Sequence, residues 1–176
     1  MKYLPNILSS LRLISSIPII MLFQLEFFIT STIFFFAVSF TDYFDGYLAR
    51  KYSTESDFGA FLDLIADKIL VLSVLIWFVY FFSNIFLTVL VIFIAIREII
   101  VTSLRYYLIS KSSDSDSIKV NQLGKLKTVF QFIAISLLLL CPMFEENFYN
   151  ISLAILFFSM VLSYISFFTY LKRIGN

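Results

Sequence analysis

The chain has 176 residues, 60% of them hydrophobic and 14% charged, whereas a soluble domain is about 45–50% apolar; the composition is that of a bilayer protein. With no His and a single Cys141, imidazole catalysis, His-ligated metals, an internal disulfide and a multi-Cys zinc site are all excluded. The net charge of +1 is uninformative about nucleic acid, but the basic residues are dispersed, so that partner class is set aside and the chemistry is left to Asp, Glu, Lys, Arg, hydroxyls and bound ions.

In chain order, apolar runs predict six helices over 6–24, 27–50, 58–81, 84–110, 125–143 and 149–171, each near the ~20 residues that cross a ~30 Å hydrocarbon core. The first carries Arg12 inside its apolar run and has no small-residue cleavage site, which separates it from a signal peptide. The breaks are marked by Glu26, by Ser83-Asn84 and by Glu145-Glu146-Asn147 rather than by Gly or Pro, and the one substantial loop is 111–122, rich in Ser, Asp and Lys. No repeat of fixed period is present, which argues against a solenoid or an inverted-repeat transporter. Lys2, Arg50, Lys51, Lys111, Lys119, Lys125, Lys127, Lys172 and Arg173 fall on one side of such a bundle, and the turns near 25, 83 and 145 carry no Lys or Arg. The positive-inside rule then gives an even number of crossings with both termini cytoplasmic. The expected fold is all-α, a six-helix transmembrane bundle in which residues 1–176 form a single membrane domain.

Asp42, Asp45, Asp63 and Asp67 need a reason to exist inside such helices. Asp42 and Asp45 are three apart, and Asp42, Gly46 and Ala49 continue one face of the second helix; Gly59, Asp63 and Asp67 are four apart and line one face of the third. The short link 51–57 makes these helices antiparallel neighbours, and at 1.5 Å per residue both pairs reach roughly 8–14 Å from the cytoplasmic turn. The four carboxylates are therefore expected to face one another within the membrane. A charged Asp at a helix centre costs ~2.5–3.5 kcal/mol and like charges add repulsion, so the acids are either protonated or neutralised by cations. Hard oxygen donors without His or Cys suit Mg²⁺ or Mn²⁺. The alternative is helix-to-helix ion pairing with Arg50 or Lys68, although two cations do not compensate four acids. Gly46, Ala49 and Gly59 either pack helices closely or leave room for a bulky ligand against the backbone, and spacing alone does not choose.

The run Asp42-Tyr43-Phe44-Asp45-Gly46-Tyr47-Leu48-Ala49-Arg50, followed by Gly59, Asp63 and Asp67, resembles the signature of the CDP-alcohol phosphotransferases: D-x-x-D-G-x-x-A-R, a spacer, then G-x-x-x-D-x-x-x-D. All eight signature residues are in place. The resemblance implies six transmembrane helices and a divalent ion, Mg²⁺ or Mn²⁺, held by Asp42, Asp45, Asp63 and Asp67 on the CDP pyrophosphate. It also implies Asp67 as the base for the acceptor hydroxyl, and Gly46, Ala49, Arg50 and Gly59 as the CDP-lipid-binding set, the small residues making space for the cytidylyl group.

A second tier comprises Pro5-Asn6 with Arg12 and Pro18, Arg97-Glu98, Ser103-Leu104-Arg105, Gly124-Lys125-Leu126-Lys127-Thr128 and Gln131. It is similar to the bacterial branch of the family that uses CDP-diacylglycerol as donor and glycerol 3-phosphate as acceptor, so the resemblance spans residues 5–131. Leu64 departs from it, since many relatives in this branch have Pro there; changed local geometry is the expected effect. Arg105, Lys125 and Lys127, at the inner ends of the fourth and fifth helices, are the candidates for a cationic pocket around the acceptor phosphate, Arg binding bidentately and Lys as a point charge. The other reading of these cations is inside-positive decoration with snorkelling stems, and Arg97-Glu98 reads as a structural ion pair or as part of the site. The implied setting is a bacterial cytoplasmic membrane, with the active site on the cytoplasmic side, membrane lipid around it, and a homodimer neither required nor excluded. Three rivals stand beside this reading. A relative that takes phosphatidylglycerol as acceptor would offer the Lys pair no terminal phosphomonoester. A cation-coupled transporter would need access from both faces, and an inactive scaffold fits poorly with a complete signature.

Overall fold

The computed structural model describes residues 4–52, 57–111 and 122–174, with side chains over 10–40, 65–104, 124, 126–169 and 171. These residues form six α-helices: α1 Leu4–Gln24, α2 Phe28–Tyr52, α3 Asp57–Phe82, α4 Ile85–Lys111, α5 Gln122–Leu140 and α6 Glu146–Ile174. Among the described residues there is no strand. Every helix end lies within three residues of its predicted position. The largest differences, three residues each, are at both ends of α5 and of α6, and two of them flank the last break. There α5 stops at Leu140, because Pro142 disfavours helical conformation at the residue before it, and Cys141–Met143 tighten into a 3-10 turn closed by the Phe144 amide on the Cys141 carbonyl at 3.0 Å. Helix α6 then starts at Glu146, three residues earlier than expected; its carboxylate sits in the first turn, where the helix dipole favours negative charge. Residues 112–121 of the expected loop and the 53–56 link fall outside the described residues.

With only four Gly in the chain, two helix breaks use other residues in left-handed conformation: Glu26 at φ 64° and Ser83 at φ 47°. At the first, the Phe27 amide reaches the Leu22 carbonyl at 2.9 Å and the Glu26 amide reaches that of Phe23 at 3.0 Å. This is the double closure of a Schellman motif, which satisfies carbonyls that the end of α1 would otherwise leave open. At the second, Asn84 caps α4: its Oδ1 accepts the Leu87 amide at 3.1 Å and its carbonyl accepts the Thr88 amide at 3.0 Å.

The chain divides into two compact units. The first comprises Met1–Phe81 with Leu139–Phe144. In it α1 packs on α2, where the buried Ser31 hydroxyl donates to the Ile19 carbonyl at 2.8 Å; a small side chain lets the two backbones approach. Phe23 meets Phe28, Phe78 and Phe81 edge to face at centroid distances of 5.3, 5.7 and 4.9 Å. Helix α3 buries Ala66, Leu70, Val74 and Phe78 along one four-residue row.

The second unit comprises Phe82–Leu138 with Glu145–Asn176. Helix α4 buries Leu87, Leu90, Val91, Ile94 and Val101, helix α5 Ala134, Ile135 and Leu138, and helix α6 Leu153 and Leu156 beside Ser152, Ser159, Ser163 and Ser166. That serine row is the small-residue face that lets α6 lie close to its neighbours. Tyr164 donates to the Phe93 carbonyl at 3.0 Å and ties α6 to α4.

Large apolar side chains such as Ile14, Ile33, Tyr80 and Ile85 are exposed, as lipid-facing residues are. Four stretches are long and apolar enough to cross a membrane: Ile65–Phe82, Ile85–Leu104, Leu126–Met143 and Glu146–Thr169. The apolar runs described in α1 and α2, Ser10–Gln24 and Phe28–Phe40, are shorter.

The Asn84 cap yields a direct expectation. Asn84→Ala lowers stability by about 1 kcal/mol and Asn84→Ser retains most of it, read as the midpoint of thermal unfolding in detergent.

Candidate active site

The acidic row belongs to the first unit. Asp42, Asp45, Gly46, Ala49 and Arg50 lie in the last turns of α2, and Gly59, Asp63 and Asp67 in the first turns of α3. Measured along the helices from the ends that residues 53–56 join, Asp45 and Asp42 sit about 10 and 15 Å from the end of α2, and Asp63 and Asp67 about 9 and 15 Å from the start of α3. The two pairs thus occupy matching turns of consecutive helices. The row Gly59, Asp63, Asp67 continues, four residues at a time, into the buried Val71 and Leu75, so the acids extend a row that packs farther along α3.

Of the eight signature residues only Asp67 has a described side chain, and the expectation that four carboxylates face one another lies outside the described residues for the other three. Asp67 keeps 22% of its side-chain surface and accepts a 2.7 Å hydrogen bond from the Lys68 ammonium, itself 27% exposed. Lys68 is one of the two cations that the sequence offers for helix-to-helix ion pairing, but this pair is not between helices. It joins adjacent residues of one helix, and the carboxylate is still reached from outside. Among the described residues no three Asp, Glu or Cys are grouped closely enough to hold a metal ion. Also in this unit, Arg12 of α1 is 1% exposed, a buried cation that the apolar run around it announced.

The second unit holds a buried ionic network. Arg97 and Glu98 of α4 and Lys127 of α5 are all buried. The Glu98 carboxylate accepts from Arg97 Nη1 at 3.1 Å and from the Lys127 ammonium. Arg97 Nε also donates to the Ser163 carbonyl of α6 at 3.1 Å, and the Ser159 hydroxyl of α6 donates to the Lys127 carbonyl at 2.9 Å. Three helices are therefore joined through one carboxylate and two serines. Desolvation inside the bundle makes each of these charges expensive alone and strongly coupled together.

Sequence reasoning put Lys127 with Arg105 and Lys125 as a phosphate-binding group and left Arg97-Glu98 between two roles; the structure joins Lys127 to that pair. The side chains of Arg105 and Lys125 lie outside the described residues. The link between Glu98 and Lys127 spans 29 positions and two helices, and no local spacing rule reports such a contact. The available signal was an acid in an apolar run, which requires a cation from somewhere. One turn beyond Lys127 on the same face of α5, Gln131 is also buried.

A family model described as CDP-alcohol phosphatidyltransferase matches residues 2–168 of the chain. Over 172 residues, 95% of this chain and 92% of the relative, the chain is 36% identical to a CDP-diacylglycerol--glycerol-3-phosphate 3-phosphatidyltransferase of Wigglesworthia glossinidia brevipalpis. It is 35% identical over 174 residues, 96% of this chain and 93% of the relative, to a protein of the same description from Pectobacterium atrosepticum. A third, from Salmonella choleraesuis, is 32% identical over 172 residues, with 96% and 93% covered.

The Glu98 network predicts a non-additive pair. Glu98→Ala strands buried cations and costs about 3–5 kcal/mol, whereas adding Lys127→Met to the same chain recovers part of that loss. A double-mutant cycle on thermal unfolding reads the coupling, and additive losses would show that the two side chains act independently.

Proposed function

The chain belongs to the CDP-alcohol phosphatidyltransferase family, and from that premise we propose that it transfers the phosphatidyl group of CDP-diacylglycerol to glycerol 3-phosphate, releasing CMP. The observation that carries this reading is the placement of the eight signature residues on matching turns of α2 and α3, in a chain whose full-length relatives bear the name of that reaction. The family match runs through both compact units, which supports reading residues 1–176 as one domain. Four apolar stretches support membrane residence. With α1 and α2 counted as spans, the protein crosses a bacterial cytoplasmic membrane six times and keeps both termini and the acidic row on the cytoplasmic side, where its Lys and Arg collect.

Asp42, Asp45, Asp63 and Asp67 would hold a divalent ion. They form an all-oxygen donor set without His or thiolate, and the described member, Asp67, has an accessible carboxylate; that chemistry fits Mg²⁺ or Mn²⁺. Bound there, the ion would neutralise charge on the pyrophosphate and on the departing CMP. Gly46, Ala49 and Gly59 leave backbone-level room for the cytidylyl group, and Arg50 adds a cation beside them.

The reaction balances simply. The terminal hydroxyl oxygen of the acceptor bonds to the lipid-side phosphorus, the bond from that phosphorus to the bridging oxygen breaks, CMP leaves with that oxygen, and Asp67 takes the hydroxyl proton. Arg105 and Lys125 bind the acceptor phosphate, and Lys127 adds its charge while shared with Glu98. Holding both substrates in line supplies the proximity contribution.

Purified protein in detergent, given labelled CDP-diacylglycerol and a panel of alcohols, is expected to release CMP with glycerol 3-phosphate, to stop on EDTA and to recover on adding Mg²⁺ or Mn²⁺. Turnover with phosphatidylglycerol alone would move the acceptor assignment to the rival branch, and full turnover in metal-free buffer would remove the ion.

Asp67→Asn is expected to lower kcat by about 10²-fold or more, the range lost with a general base, while CDP-lipid binding stays measurable. Asp42→Asn is expected to weaken that binding itself. Equal loss of binding in the two variants would mean that Asp67 acts only as a ligand.

A further inference from the structure

Gln131 stands apart from the buried serines of the second unit. It is 6% exposed on α5, and its Nε2 is a buried donor with no hydrogen-bond partner among the described residues. Buried serines of the same unit are satisfied: Ser136 donates to the Phe132 carbonyl, Ser152 to that of Phe148 and Ser159 to that of Lys127. Native interiors seldom leave a primary amide unsatisfied, and where they do, a ligand or water commonly supplies the missing oxygen. Gln131 follows Lys127 by four residues, so the two side chains share one face of α5, about 6 Å apart along the axis. That face therefore presents an ammonium group and, one turn farther along, an amide donor.

We propose that Gln131 is a specificity-determining residue that donates a hydrogen bond to the C2 hydroxyl oxygen of the glycerol 3-phosphate acceptor. The proposal rests on the acceptor assignment made above. A phosphate near Lys127 places the glycerol carbons on the following turn, because the three-carbon chain is comparable in length to that four-residue step. The terminal hydroxyl is committed to the phosphorus, which leaves the C2 hydroxyl as the non-reacting oxygen for an amide to read. Sites built to bond a hydroxyl discriminate strongly against an analogue that lacks it, because the protein donor is then left unpaired.

The test pairs Gln131→Met with 3-hydroxypropyl phosphate, which is glycerol 3-phosphate without the C2 hydroxyl, and uses the full-length protein in detergent. With glycerol 3-phosphate, Gln131→Met raises the acceptor KM about ten-fold, the loss expected for one hydrogen bond, and leaves the CDP-diacylglycerol KM unchanged. With the deoxy analogue, wild type and variant have the same KM. The acceptor-free variant unfolds no earlier than wild type, since an unsatisfied buried donor has been removed. Gln131→Asn keeps the amide but withdraws it, and is expected to show a smaller rise confined to glycerol 3-phosphate; it carries the test if the Met variant does not fold. An unchanged acceptor KM, or an equal rise with both acceptors, overturns the role of Gln131 while the acceptor assignment stands. Failure of wild type to use glycerol 3-phosphate overturns both.

Discussion

A charge inside an apolar helix must find a partner, and the polar architecture of this chain follows from that requirement. Glu98 sits in a helix with Val91, Ile94 and Val101 on its buried side. Left alone it would be neutral or would unfold the helix locally. Instead it accepts from Arg97 and Lys127, and Arg97 reaches on to the Ser163 carbonyl. The lateral and axial setting of α4, α5 and α6 is thereby tied to one carboxylate. Apolar contacts between lipid-facing helices discriminate weakly between registers, because lipid chains solvate them equally well, whereas a buried ionic contact admits one register only.

The same scarcity governs how the helices end. A bilayer helix terminus still has open carbonyls and amides, and a chain with four Gly and three Pro has few residues made for the task. Glu26 and Ser83 adopt left-handed conformations instead, and Asn84 supplies an oxygen to the first turn of α4. The small backbone cost of such conformations is offset by satisfying donors and acceptors that hydrocarbon cannot. Short, well-closed breaks also keep consecutive helices adjacent, as at Phe27, whose amide closes α1 and whose carbonyl opens α2 by accepting the Ser31 amide.

The helices were legible because apolar length and polar punctuation are local properties of the chain. Six were read and six are observed among the described residues, and Pro142 and Glu146 account for the two deviations at the last break. The turns of α2 and α3 on which the signature residues lie were legible for a related reason: spacing along the chain fixes position along a helix. Lys127 was harder. Its nearest charges in sequence are Lys125 and the basic loop before it, which suggested a pocket for an anion, yet its described partner is Glu98, on another helix. Residue type set the need for a counter-charge, and only the packing of α4 with α5 identified which one. The unsatisfied amide of Gln131 was equally invisible, since a sequence shows the presence of a donor and never its lack of an acceptor.

The division of polar residues between the two units suits the charges of the proposed substrates. The acidic row Asp42 to Asp67 lies wholly in the first unit, and the segment Gly124 to Gln131 wholly in the second. A pyrophosphate donor brings two phosphates that need divalent cations, and hence carboxylates to hold them; a phosphomonoester acceptor brings a dianion that needs Lys, Arg and neutral donors. In the proposed reaction each kind of charge then meets side chains of complementary chemistry. That match also assigns the clamp a purpose: Glu98 restrains Lys127, and a restrained ammonium loses less entropy on meeting an anion than one on a free four-carbon stem. Under the proposed function, the buried carboxylate of the second unit prepares a cation for the acceptor, while the carboxylates of the first unit would themselves hold the divalent ion.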